Sequence, residues 1–150
     1  PVATFSPCFG GPFLTLHPLK YAELLKSKIQ THESKVYLVN TGWIGGSAAS
    51  GAKRISIQNT RTMITSILDG SIEQSQFKTE PVFGLSCPLS LIGVDTEVLN
   101  PRSSWDNADD YDKQATTLGE LFTNNFKTYG KAVSYLENAG PIRNHNEIAI

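Results

Sequence analysis

The sequence predicts an α/β domain, a mixed sheet with flanking helices. Three observations predict it. Short β-prone runs alternate along the chain with segments of helical periodicity. The run KVYLVNT, residues 35–41, is apolar at four consecutive positions, as in a strand covered on both faces. Tyr111, Ala115, Leu118, Phe122, Phe126 and Tyr129 recur every three or four residues and lay one apolar stripe along a long helix.

Taken in order, residues 2–9 read as extended. Residues 17–34, HPLKYAELLKSKIQTHES, read as a helix. His17 leads into it, and Pro18 suits its first turn, where a missing N–H costs nothing. Tyr21, Leu24, Leu25 and Ile29 form its apolar face. After the 35–41 strand comes a glycine-rich stretch, Gly42 to Gly51. Asn59 or Thr60 is then expected to cap a second helix, with Met63, Ile64, Ile67 and Leu68 buried and Gly70 at its C′ position. Residues 74–88, QSQFKTEPVFGLSCP, read as one or two short strands. Residues 91–105, LIGVDTEVLNPRSSW, have turn chemistry throughout and read as a long surface connection. The striped helix runs from Asp109 to about Tyr129 and stops at Gly130. Asp106, Asp109, Asp110 and Asp112 crowd its N-terminal end, where the positive pole of the helix favours them. A short helix, KAVSYLEN, follows, and IRNHNEIAI reads as a loose tail.

Composition narrows the function. The chain has 150 residues, 39% hydrophobic and 18% charged, enough for one domain with a core. Thirteen cations against fourteen anions leave a net charge of −1, without the basic surplus that non-specific nucleic-acid binding needs. No apolar run approaches membrane-spanning length, so no membrane partner is expected. Two distant thiols, Cys8 and Cys87, and no Asn-x-Ser/Thr acceptor fit a cytoplasmic protein. Only about three to five strands are available for so many helical faces. The chain also opens without Met on a β-prone segment carrying Val2, Phe5 and Phe9. Both features lead us to expect a piece of a longer protein, with partner strands elsewhere.

The stretch from Asn40 to Arg61, NTGWIGGSAASGAKRISIQNTR, has the order apolar strand, glycine loop, cation, helix. A phosphate-binding P-loop reads G-x-x-x-x-G-K-[ST]. Gly46 and Gly51 have its spacing, but Ala52 displaces Lys53 by one place and Arg54 stands where a hydroxyl is needed. Arg54, Ile55 and Thr60 bracket a strand-to-helix junction and admit two readings. A guanidinium lying flat on a purine, an apolar wedge and a hydroxyl that both donates and accepts would make an adenine pocket. Alternatively Arg54 is solvated, Ile55 belongs to the core and Thr60 only caps the helix, and the residues by themselves favour this plainer account. DNADDYD, residues 106–112, lacks the turn glycine and distal Glu of a calcium loop. His17, His32 and His145 have no metal-ligand spacing. Neither cysteine has a nucleophile context, and no G-x-S-x-G elbow exists. No catalytic set is complete.

Several blocks together carry a resemblance. In order, TFSPCFGGPFLTLHPLKYAELL, KVYLVNTGW, GAKRISIQNTR, PVFGLSCP, GVDTEVLNPRSSW and LFTNNFKTY are similar to the C-terminal portion of ATP-dependent phosphoenolpyruvate carboxykinases. The likeness runs from about residue 3 to residue 130. It implies the C-terminal part of a mononucleotide-binding domain over residues 1–130, with a short helix and tail over 131–150. It implies a parent enzyme that converts ATP and oxaloacetate to ADP, phosphoenolpyruvate and CO2 in gluconeogenesis. ATP-binding roles are implied for Arg54, Ile55 and Thr60, and residues 1–6 match the closing end of a mobile lid. The family's kinase P-loop, its magnesium and manganese ligands and its oxaloacetate-binding cations have no match here, so no catalytic or metal residue is assigned. The rest of the polypeptide is the implied partner, and this segment by itself is expected to turn nothing over. The loop GGSAASGA, residues 45–52, is longer than the G-T-G of some members, which leaves Gly45 to Ala52 without an assigned contact. A non-catalytic nucleotide-binding or interaction module built on the same fold is the alternative expectation.

Overall fold

In the computed structural model, residues 4–6 and 10–142 are described. The chain divides into two compact units, Pro1–Leu38 and Val39–Ile150. The expectations for residues 1–3, for Cys8 and His145, and for the tail beyond Ile142 lie outside the described residues.

The first unit is built on helix α1, Pro18–His32. His17 is its N-cap: Nδ1 accepts from the Leu19 amide at 3.3 Å, and Pro18 takes the first helical position. Glu33 ends it in the left-handed region, at φ +50°, and the Ser34 amide reaches back to the Ile29 carbonyl at 3.2 Å. The Leu16 amide donates to the Tyr21 hydroxyl, holding the incoming chain against the first turn. No residue of α1 is buried; Tyr21 and Ile29 are half-buried, and Leu24 and Leu25 are exposed. The strand expected at residues 35–41 is not one. This run joins no ladder, and Val36 and Leu38 are exposed. Its β-prone side chains fit a sheet interior, but a strand exists only through a neighbour's backbone groups, and no described segment supplies them.

The second unit opens with an antiparallel ribbon, β1 (Trp43–Ile44) and β2 (Lys53–Arg54), paired Trp43 with Arg54 and Ile44 with Lys53. Helix α2, Ile57–Leu68, follows after two residues. Its cap is Ser56, not Asn59 or Thr60, so the helix begins earlier than its periodicity suggested. Its inward face also differs from the expected stripe. Asn59 and Ser66 are buried and Met63 and Ile67 half-buried, whereas Ile64 and Leu68 are exposed. Gly70 stands at C′ with φ +77°, as its position implied. A second antiparallel ribbon pairs β3 (Phe77–Thr79) with β4 (Ser86–Pro88). At its turn the Glu80 carboxylate accepts from the Val82 and Phe83 amides at 3.1 and 2.6 Å. The connection 91–105 is more structured than its turn chemistry implied. It contains a one-turn helix, α3 (Thr96–Leu99), and a 3-10 turn, Pro101–Ser104.

The long helix α4 spans Ala108–Phe126 and runs into a 3-10 turn, Lys127–Tyr129, that ends at Gly130, φ +74°. Asn107 caps it, with Asp109 and Asp110 in the first turn. Arg102 grips Asp112 through two bonds of 2.8 and 2.9 Å. Along its stripe Ala115 is buried, Tyr111, Phe126 and Tyr129 are half-buried, and Leu118 and Phe122 remain partly open. Phe122 meets Phe83 edge-on at 5.9 Å, and Tyr111 meets Trp105 in the same way. The short helix expected at KAVSYLEN is 3-10, Lys131–Ala139, and carries Val133, which is 1% exposed. The α/β class therefore stands, with the strands of the described residues in two small antiparallel ribbons. The apolar core of this unit is thin: Ile55, Ile72, Val82, Val94, Ala115 and Val133 among the described residues.

Gly45 has φ +78°, and a Cβ there would lie 2.8 Å from the Ser104 carbonyl oxygen. Both features require glycine, so Gly45→Ala is expected to destabilise the chain by about 1–3 kcal/mol, read as a lower urea midpoint. Burial, reinforced by the Glu80 charge, pushes the Cys87 thiol and the Tyr111 phenol above their ordinary values. The folded state then keeps protons that the unfolded chain releases. Their contribution is intact below the thiol's ordinary value of 9.0 and is lost as pH rises through the raised values. The thermal midpoint should fall from about pH 9 upward, and Cys87→Ser should flatten the early part of that decline.

Candidate functional site

Arg54, the second residue of β2, faces Trp43 across the ribbon. Its guanidinium carbon stands 5.5 Å from the centre of the Trp43 ring, a cation–π contact. Its Nη2 donates to the Thr41 carbonyl at 3.2 Å. Arg54 itself is exposed, and Trp43 is 40% exposed. Ile55, the next residue, points the other way, as alternation along an extended segment requires. It is buried, and its amide donates to the Gly42 carbonyl at 2.9 Å, prolonging the ribbon by one bond.

The chain then turns into α2. Ser56 is extended, and its hydroxyl accepts from the Asn59 amide at 3.0 Å. Thr60 sits in the first turn, half-buried, with its amide donating to the Ser56 carbonyl at 3.0 Å. Asn59 is buried, and its side-chain amide donates to an Asp95 carboxylate oxygen at 3.1 Å. That bond pins the first turn of α2 to the residue that precedes α3. Thus Arg54, Ile55 and Thr60 do flank one strand-to-helix junction. The ribbon fixes the first two, and the Ser56 cap with the Asn59–Asp95 bond fixes the third.

The loop between the strands does not build a phosphate cradle. Ser47 caps a single 3-10 turn, Ala48–Ser50, and Gly51 closes it at φ +79°. In a P-loop the lysine opens the helix. Here Lys53 lies in β2, and α2 starts only at Ile57. Elsewhere in this unit a groove of about 400 Å³ is lined by residues that include Val82, Gly119, Thr123 and Pro141, and not by Arg54, Ile55 or Thr60. Among the described residues no group of three or more His, Cys, Asp or Glu side chains could hold a metal ion. No helix among the described residues is long and apolar enough to cross a membrane.

The junction lies within the stretch of this chain that known proteins match. A sequence model of the family described as phosphoenolpyruvate carboxykinase matches residues 1–97, nearly two thirds of the chain. The chain belongs to the phosphoenolpyruvate carboxykinase family. Its relatives include proteins named phosphoenolpyruvate carboxykinase (ATP). That of Caldanaerobacter subterraneus subsp. tengcongensis is 45% identical over 141 residues, 94% of this chain and 27% of the relative. That of Leptospira biflexa is 50% identical over 129 residues, 86% of this chain and 24% of the relative. That of Eremothecium gossypii is 45% identical over 143 residues, 94% of this chain and 26% of the relative. The chain spans about a quarter of the length of these curated relatives. Carboxykinase likeness continues beyond residue 97, through the stretch that forms α4.

Sequence reasoning missed three participants at the junction: Trp43, Ser56 and the Asn59–Asp95 bond. Ser56 was open to detection, because a serine three residues before Asn59 is a ready N-cap. Trp43 becomes visible only once the ribbon's register is known. Asn59→Ala removes the buried donor and leaves Asp95 without it. The expected loss is about 1–2 kcal/mol, seen as a lower urea midpoint, with Asp95→Ala giving little further loss in that background.

Proposed function

We propose that this chain is the nucleotide-binding C-terminal part of an ATP-dependent phosphoenolpyruvate carboxykinase, a cytoplasmic lyase of gluconeogenesis. The whole enzyme would convert ATP and oxaloacetate into ADP, phosphoenolpyruvate and CO2. The observation that carries the reading is 45–50% identity to relatives that share that name, across most of this chain. Residues 1–130 would belong to the carboxykinase domain, and 131–150 would be its short terminal helix and tail.

Within that enzyme, Arg54, Ile55 and Thr60 would hold the base end of ATP. Arg54 presents a planar cation in an exposed position, suited to lie on a purine face. The Thr60 hydroxyl can donate and accept, matching a base edge. Ile55, buried beneath, gives the junction an apolar floor. Phosphoryl transfer needs charge arranged around the terminal phosphate. The described residues offer neither a metal site nor a P-loop for it, so this reading places that work in the rest of the polypeptide.

In the full-length enzyme, Arg54→Ala should raise the KM for ATP about three- to tenfold, with kcat within about twofold. An unchanged KM would remove Arg54 from the site. The 150-residue chain by itself should form no phosphoenolpyruvate in a coupled assay, and turnover above background would count against the division of labour proposed here.

A further inference from the structure

We infer that Trp43 is a positioning residue for the nucleotide base: it holds the Arg54 guanidinium flat, so that a purine adds to the opposite face and completes an indole–guanidinium–purine stack. This rests on the role given to Arg54 above and deepens it.

Three observations carry the inference. Trp43 and Arg54 are direct cross-strand partners, so the backbone itself brings the ring and the cation together. The guanidinium carbon is 5.5 Å from the ring centre. Its Nη2 is tied to the Thr41 carbonyl. A guanidinium donates hydrogen bonds in its plane and stacks across it. The Thr41 bond therefore fixes where the group sits, and the indole limits how it tilts. An arginine free in solvent would have to lose much side-chain freedom when a ligand stacks on it. Here that ordering precedes the ligand, which is how preorganisation raises affinity. Arg54 remains exposed, so a planar partner can reach it. A fused two-ring base offers more stacking area than a single ring, so the stack favours purine over pyrimidine nucleotides.

The test uses the full-length enzyme. Trp43→Leu should raise the KM for ATP about three- to tenfold, with kcat within about twofold. Trp43→Phe, which keeps a ring, should recover most of that loss. In an Arg54→Ala background, Trp43→Leu should add nothing. A second readout needs no loss of the indole. With the protein labelled by 5-fluorotryptophan, the Trp43 fluorine resonance, assigned by its disappearance in Trp43→Phe, should shift when ATP is added. Three results would overturn the inference: an unmoved resonance, an unchanged KM in Trp43→Leu, or an undiminished effect of Trp43→Leu when Arg54 is absent. If Arg54→Ala raises KM but Trp43→Leu does not, only this inference fails. If Arg54→Ala itself leaves KM unchanged, the role of Arg54 fails and the inference fails with it.

Discussion

The register of one four-residue ribbon governs everything built around the junction. Trp43 faces Arg54, Ile44 faces Lys53, and the Gly42 carbonyl takes the Ile55 amide. Side chains on extended backbone alternate, so a slip of one residue would exchange inside and outside. Ile55 would leave the core, and the guanidinium would lose its indole. Two ladder pairs are too few to resist such a slip by backbone bonding alone. The register is held from both ends instead. Ile55 is buried on one side, and Gly45 packs against the Ser104 carbonyl on the other.

Much of this was legible in the sequence, and what was not had physical reasons. Pro18 and His17 announced the start of α1, and the three-four spacing from Tyr111 to Tyr129 announced α4, because local capping and periodicity suffice for both. The run Val36 to Val39 misled because β propensity records a fit to a sheet and not the presence of one. Helix α2 was found but rotated. Its inward residues are Asn59 and Ser66, polar side chains that find partners in Asp95 and the Thr62 carbonyl. A hydrophobicity pattern cannot anticipate polar groups that are buried because they are bonded. At the candidate site, the junction that carries Arg54, Ile55 and Thr60 could be placed from residue order, and their nucleotide role is an expectation from family likeness. Trp43 could not, since ten residues, most of them in a loop of unforeseeable closure, separate it from Arg54 in the chain.

The second unit secures its elements more by directed polar contacts than by bulk. Ser56, Asn59, Glu80, Arg102 and Asn107 each satisfy backbone or side-chain groups at an element end. No buried side-chain polar atom lacks a partner among the described residues. The apolar side chains that would normally seal such a frame, including Ile57, Ile92 and Leu68, instead face outward.

The loop from Gly45 to Ala52 bears differently on the engineering of this protein. Its base is clamped at Gly45, yet a side chain added at Gly51 would meet nothing within 4 Å. Lengthening such a tip costs little, since loop closure grows only logarithmically, by about 0.6 kcal/mol for each doubling. The hairpin can therefore be extended outward while its stem stays put. The exposed Ala49 at the tip is a place to graft an affinity peptide or a fluorophore without disturbing the pairing below.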